Sequence, residues 1–245
     1  MKLITNKETP WLCYKDPNSN LIWWVHSKCA CSFYKTIFER LQWIKTTSDK
    51  IDWDNNVVFG HIRDPLTKHR IGIVEWFYFT KNQQLLTENF NNAAFFRMLS
   101  EIAYLDFHSM SILEHLGPDN SARMHWIPID TGNNHVTETL EFVASYTELD
   151  PEFLHWAANL QPIHVSTDFK KQCNQKLLEI EPTPLIIKSL EYDTWLYDSV
   201  SKKNFEPKNY SNRITELKKQ GLSQHQAEEQ ADQEVASGQY MQWNK

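Results

Sequence analysis

Three short stretches carry residue types that could act on a phosphorylated substrate. The first is His26-Ser27-Lys28-Cys29-Ala30-Cys31-Ser32-Phe33, the second Arg63-Asp64-Pro65 with Lys68 and Arg70 just beyond, the third Asp106-Phe107-His108. Lys28 brings a mobile point charge and Ser32 a hydroxyl, while the small residues Ser27, Ala30, Cys31 and Ser32 let the backbone approach an anion closely. Arg63 offers the planar fork that grips a phosphate with two hydrogen bonds. A histidine is the side chain suited to taking a proton from a hydroxyl near neutral pH, with a carboxylate such as Asp106 to orient it.

The elements that must position these groups follow from the flanking patterns. Leu21-Ile22-Trp23-Trp24-Val25 is a short apolar run of β-branched and aromatic residues, as in a strand buried on both faces of a parallel sheet. Beyond the loop, Ile37, Leu41 and Ile44 recur at helical spacing, which predicts a helix beginning near Cys31 or Ser32. Such a loop aims unpaired N–H groups, including those of residues 30–33, and the positive end of a helix dipole at one point. This is not a Walker loop, because no glycine lies between Leu21 and Phe59 and Lys28 precedes the turn.

Val57-Val58-Phe59-Gly60-His61-Ile62 reads as a second buried strand, ending at Arg63-Asp64-Pro65 where the chain turns into a helix. In open α/β sheets ligands sit beyond the carboxyl ends of the strands, and both cationic loops are expected there. Residues 72–107 read as helices with polar turns, residues 122–129 as a third strand, and residues 137–146 as a helix. Asp150-Pro151 is a helix start, and residues 170–180 and 184–200 are further helices.

With Ser27-Lys28-Cys29-Ala30-Cys31-Ser32 and Arg63-Asp64-Pro65 in this order on consecutive strands, the chain resembles the sulfotransferases that use 3′-phosphoadenosine 5′-phosphosulfate, their carbohydrate branch above all. The resemblance spans roughly residues 21–197 and is strong at the two short motifs. It implies a P-loop-like three-layer α/β fold, with a central, mainly parallel sheet flanked by helices. It also implies that residues 27–33 bind the 5′-phosphosulfate, with Lys28 stabilising the bridging oxygen as the bond to sulfur breaks. Arg63 then binds the 3′-phosphate, with Lys68 in the place of the family's second arginine and Arg70 as its alternate.

His108 looks like the family's acceptor-side histidine and is expected to accept the proton; His26, His61, Glu75 and His125 remain alternative bases. Three departures stand out. Ile71 occupies the position of a phosphate-binding serine, Ser111 replaces a proline, and the Arg-Lys-Gly loop of the small-molecule enzymes is absent. The acceptor is expected to be a hydroxyl, or an amine, of a carbohydrate or small molecule, and no metal is expected.

At 245 residues and a formal charge of −6, the chain has room for a full core and disfavours nonspecific attraction to nucleic acid. Its sequence shows no run apolar enough for a membrane span and no leader-like apolar segment at the start, which points to a cytoplasmic protein without membrane contact. Four cysteines in no paired spacing are expected as free thiols. Residues 1–205 form the expected sulfotransferase-like domain. Residues 206–245, polar and Ala/Glu/Gln-rich with a narrow apolar stripe, form an expected helical extension that packs on the domain or on a second copy. Two rival classes are a nucleotide kinase with a degenerate phosphate loop, for which Asp64 would serve magnesium, and a noncatalytic glycan-binding or virion-type structural protein using the ten tryptophans.

Overall fold

Asp16 starts the first turn among the described residues. Its carboxylate accepts hydrogen bonds from the Asn18 N–H (3.0 Å) and the Ser19 hydroxyl (2.6 Å), so the chain doubles back into a hairpin. The hairpin joins β1 (Leu12–Lys15) to β2 (Leu21–Trp24), with Cys13 opposite Trp24. The structure, a computed structural model, describes residues 11–103, 105–130, 135–160, 167–201, 217–223, 226, 227 and 230.

After β2 come α1 (Cys31–Arg40), the edge strand β3 (Ile44–Thr47) and β4 (Val57–Ile62). Four helices follow: α2 (Pro65–Phe79), α3 (Gln83–Glu88), α4 (Ala93–Ser100) and α5 (Ile112–Arg123), the last broken at Gly117, whose φ of 73° suits glycine. The described chain continues with β5 (His125–Pro128), α6 (His135–Ala144), α7 (Pro151–Ala158), α8 (Asp168–Leu178), α9 (Pro184–Ser189) and α10 (Glu191–Ser201).

The five strands lie in the order β3-β1-β2-β4-β5. β2 pairs parallel with β4 and β4 with β5, whereas β1 pairs antiparallel with both β2 and β3. The sheet is therefore mixed, and the expectation of a mainly parallel sheet is corrected. The antiparallel half leaves little trace in the sequence, because β1 is four residues long and ends in Lys15, and β3 reads Ile-Lys-Thr-Thr, a polar edge with no buried residue.

Alternation along β2 and β4 sends their side chains to opposite faces, each covered by helices. Trp23 and Phe59 join Tyr34, Ile37 and Phe38 of α1, Leu140 and Val143 of α6 and Phe153 of α7. On the other face Ile22, Trp24 and Val58 meet Ile112 and Leu116 of α5 and Trp195 and Leu196 of α10. A third cluster lies off the sheet: Ile73, Val74 and Phe77 of α2 pack with Leu86, Phe96, Leu99, Leu105, Cys173 and Leu177. This cluster anchors the carboxyl half of α2, the helix on which the candidate site depends.

No helix among the described residues is long and apolar enough to cross a membrane. The expected extension at 206–245 lies largely outside the described residues; of its apolar stripe, Leu222 and Ala227 are described, the first half-buried and the second buried, as is Leu217.

Candidate functional site

The loop after β2 is shaped by two residues in the left-handed region, Lys28 (φ 63°) and Ala30 (φ 56°), on either side of Cys29. Neither is glycine, and such a conformation costs on the order of 1 kcal/mol or more per residue. Within this turn the Cys29 N–H donates to the His26 carbonyl at 3.4 Å, which closes the loop ahead of the helix. α1 then begins with no side-chain cap and no acidic residue in its first turn, and its earliest internal bond runs from Tyr34 N–H to Ala30 C=O. The N–H groups of Cys31, Ser32 and Phe33 are those an α-helix leaves without internal partners. Cys29 is buried, and burial pushes its thiol up to about 12, so it packs and does not react.

One stripe of α2 faces this loop. Lys68, Gly72, Glu75 and Phe79 recur at steps of three and four residues and so share a helix face. The Lys28 ammonium lies 3.3 Å from Glu75 Oε1, and Lys170 of α8 pairs with the same oxygen. Burial draws Lys28 below its usual pKa against the opposing pull of Glu75. Burial works to raise Glu75, but its two ammonium partners outweigh this and hold the carboxyl below its ordinary value.

The same stripe supports the turn that carries His108. Gly72 packs so closely there that a Cβ would lie 2.3 Å from the His108 carbonyl oxygen. The Lys68 ammonium donates to the Met110 carbonyl, and the exposed Phe79 ring sits 5.4 Å from the His108 ring. His108 Nδ1 is 2.8 Å from Asp106 Oδ2, while Asp106 Oδ1 accepts the His108 backbone N–H at 2.9 Å. With Nδ1–H donated to the carboxylate, Nε2 is left as the accepting nitrogen.

Arg63 follows β4 and therefore sits beside the loop that follows its parallel neighbour β2. Its charge acts on Cys29 in that loop. Arg63 Nε donates to Asp130 Oδ1 at 3.0 Å, and Asp130 Oδ2 accepts the Asp64 N–H at 2.8 Å. Asp64 caps α2 by accepting from the Thr67 N–H, with Pro65 in the first turn, so the carboxylate a kinase would need for magnesium is engaged in helix capping.

The structure does not bring Lys68 or Arg70 to Arg63. Lys68 is 3 % exposed and lies beneath the loop; Arg70 is fully buried, with Nη1 2.5 Å from the Ser100 carbonyl at the end of α4. Helical geometry explains both, since the stripe occupied by Lys68 turns inward and Arg70 lies some 200° further round the helix.

Of the alternative bases, His61 is a core residue: the Trp23 indole N–H donates to its Nδ1 (3.1 Å), and its Nε2 meets Thr139 Oγ1 (2.9 Å). His26 is buried beneath the site, edge-on to His115 at 5.2 Å. His125 stacks on Phe142 at 4.0 Å. Glu75 is the one alternative that meets Lys28 directly. Sequence reasoning missed Lys170, which lies 95 residues beyond Glu75 and carries no local signal.

Comparison with protein-family models, curated proteins and solved structures finds no match to this chain. The functional reading rests on the site's own geometry.

Proposed function

We propose that the chain is a sulfotransferase that moves the sulfuryl group of 3′-phosphoadenosine 5′-phosphosulfate to a hydroxyl of a carbohydrate or small-molecule acceptor. The observation that carries the reading is the adjacency of two cationic turns, one holding Lys28 and one holding Arg63, at the carboxyl ends of the paired parallel strands β2 and β4. A nucleotide with anionic groups at its 5′ and 3′ ends needs two such sites side by side. The N–H groups of residues 30–33 and Lys28 serve the 5′-phosphosulfate, with Ser27, Cys29 and Ser32 shaping the turn. Arg63 serves the 3′-phosphate, exchanging its Asp130 partner for a more highly charged one.

In the reaction the acceptor oxygen attacks sulfur, and the bond from sulfur to the bridging phosphate oxygen breaks. The acceptor proton passes to His108 Nε2, with Asp106 stabilising the imidazolium that forms. Charge gathers on the bridging oxygen as it leaves, and Lys28 together with the α1 amides stabilises it there. Glu75, itself paired with Lys170, holds the Lys28 ammonium in place until that charge develops. The four cysteines of the described chain are free, as suits a reducing compartment such as the cytoplasm.

The test is release of adenosine 3′,5′-bisphosphate from the phosphosulfate donor over a panel of sugars and small alcohols. Acceptor-dependent release that disappears in Lys28→Ala supports the reading. Absence of donor turnover together with absence of nucleotide binding would end it.

A further inference from the structure

Arg63 has no second cation from its own helix turn beside it: Ile71 has no polar atom, and Lys68 and Arg70 point elsewhere. Another group lies beside the phosphate loop. His135, the first residue of α6, lies 6.4 Å from the Phe33 ring of the phosphate loop, nearly at right angles to it. Its own ring is tied to Tyr34 of α1, whose ring stacks on His61 at 3.5 Å. His61 and Arg63 are two residues apart along β4 and its continuation, and so face the same side. His135 thus stands over the strand end from which Arg63 projects, and the charges of Arg63 and Asp130 both act on it.

A chain of hydrogen bonds from the core favours one of the two nitrogens of His135 as the bearer of its proton. The Trp23 indole can only donate, so His61 Nδ1 accepts, and the neutral ring presents Nε2–H to Thr139 Oγ1. Thr139 uses its single hydrogen on the His135 carbonyl at 2.6 Å. The Tyr34 hydroxyl, 3.1 Å from Thr139 Oγ1, has two acceptors in reach, His135 Nδ1 at 2.5 Å and the His135 carbonyl at 3.0 Å; with that carbonyl already taken by Thr139, we assign its hydrogen to Nδ1. With Nδ1 accepting, neutral His135 bears its proton on Nε2. Burial and the nearby Arg63 charge favour this neutral form.

We propose that His135 is a binding residue of this site, its Nε2–H donating to the same 3′-phosphate that Arg63 grips. The inference rests on the nucleotide reading above and names the residue that supplies the hydrogen bond Ile71 is unable to make. The core relay through Trp23, His61, Thr139 and Tyr34 positions the ring as a donor.

Calorimetric titration of wild type, His135→Ala and His135→Gln with adenosine 3′,5′-bisphosphate and with adenosine 5′-monophosphate tests it, the unliganded melting temperature of each variant serving as the check on folding. His135→Ala should bind the bisphosphate about 10-fold more weakly, the loss of one hydrogen bond to a charged group, with the monophosphate unchanged. His135→Gln, which keeps an N–H near the Nε2 position, should stay within about 3-fold of wild type. Equal bisphosphate affinity in wild type and His135→Ala overturns the inference and leaves the nucleotide reading standing. An equal loss for both nucleotides also overturns it, since the hydrogen bond would then lie away from the 3′ end. A wild type that binds neither nucleotide removes both.

Discussion

Replacing Gly72 by alanine sets two well-understood effects against each other. Gly72 lies in the interior of α2 in ordinary helical conformation, where alanine is intrinsically better by about 1 kcal/mol. Its added Cβ, however, would meet His108 O at 2.3 Å, His108 C at 2.6 Å and Ser109 N at 2.8 Å. All three are backbone atoms, so no side chain can swing aside. The turn would have to retreat by roughly 0.7 Å to reach even the shortest tolerated approach, and overpacking of this kind costs about 1–3 kcal/mol. The turn resists, being tied by Ser109 Oγ to the Leu105 N–H, by His69 Nδ1 to the Ser109 carbonyl and by Lys68 to the Met110 carbonyl. The cost should fall at the upper end and exceed the helix gain, leaving Gly72→Ala less stable by about 1–2 kcal/mol. Urea unfolding should show a lower midpoint with unchanged slope, and donor turnover should fall because His108 moves with the turn. A variant as stable as wild type, or more stable, would refute the packing of the His108 turn on α2.

Acid should destabilise the protein between about pH 6.5 and 4. Burial lowers His69 to about 4, so below the unfolded-state value near 6.5 the unfolded chain takes the proton first. Stability is full above that value and falls by about 3 kcal/mol from this group alone as pH drops through 4. His26, His61 and His115, all held well below their usual value by burial, act in the same sense. Asp193, raised by burial to about 6, acts in the opposite sense over part of the window; urea midpoints at pH 7.5 and 4.5 should still favour the former, and an equal or higher midpoint at 4.5 contradicts the burial pattern. Asp193→Ala removes the carboxylate that accepts from the Ile112 and Leu113 N–H groups and faces the buried Lys68, and should cost about 3–5 kcal/mol in the same unfolding assay. His108→Ala should lower kcat by about 100-fold or more with nucleotide affinity unchanged, and Asp106→Asn should lower it less; loss of affinity instead would assign His108 to binding.

Residues with strong local signals were legible in the sequence. The apolar runs at 21–25 and 57–62 became β2 and β4, Cys31 began α1, and Asp64-Pro65 and Asp150-Pro151 began α2 and α7. Short strands whose partners supply the stability were not, and β1 and β3 turned an expected parallel sheet into a mixed one. The Asp106 to His108 pair could be anticipated because both ends lie within one turn. Lys170 and His135 could not, since each reaches its partners across long stretches of chain: Lys170 meets Glu75 95 residues away, and His135 meets Tyr34 101 residues away. Lys68 and Arg70 show the limit of counting charges: sequence supplies the cation, and the helix phase decides whether it faces ligand or core.

The two cationic turns and the nucleotide they are proposed to share are tested most directly by thermal unfolding with adenosine 3′,5′-bisphosphate at a fixed concentration, for wild type, Lys28→Ala and Arg63→Ala. At about 100 times its dissociation constant the ligand should stabilise wild type by about 2.7 kcal/mol, and each variant markedly less. Stabilisation that is absent in wild type, or equal in all three proteins, would contradict the account.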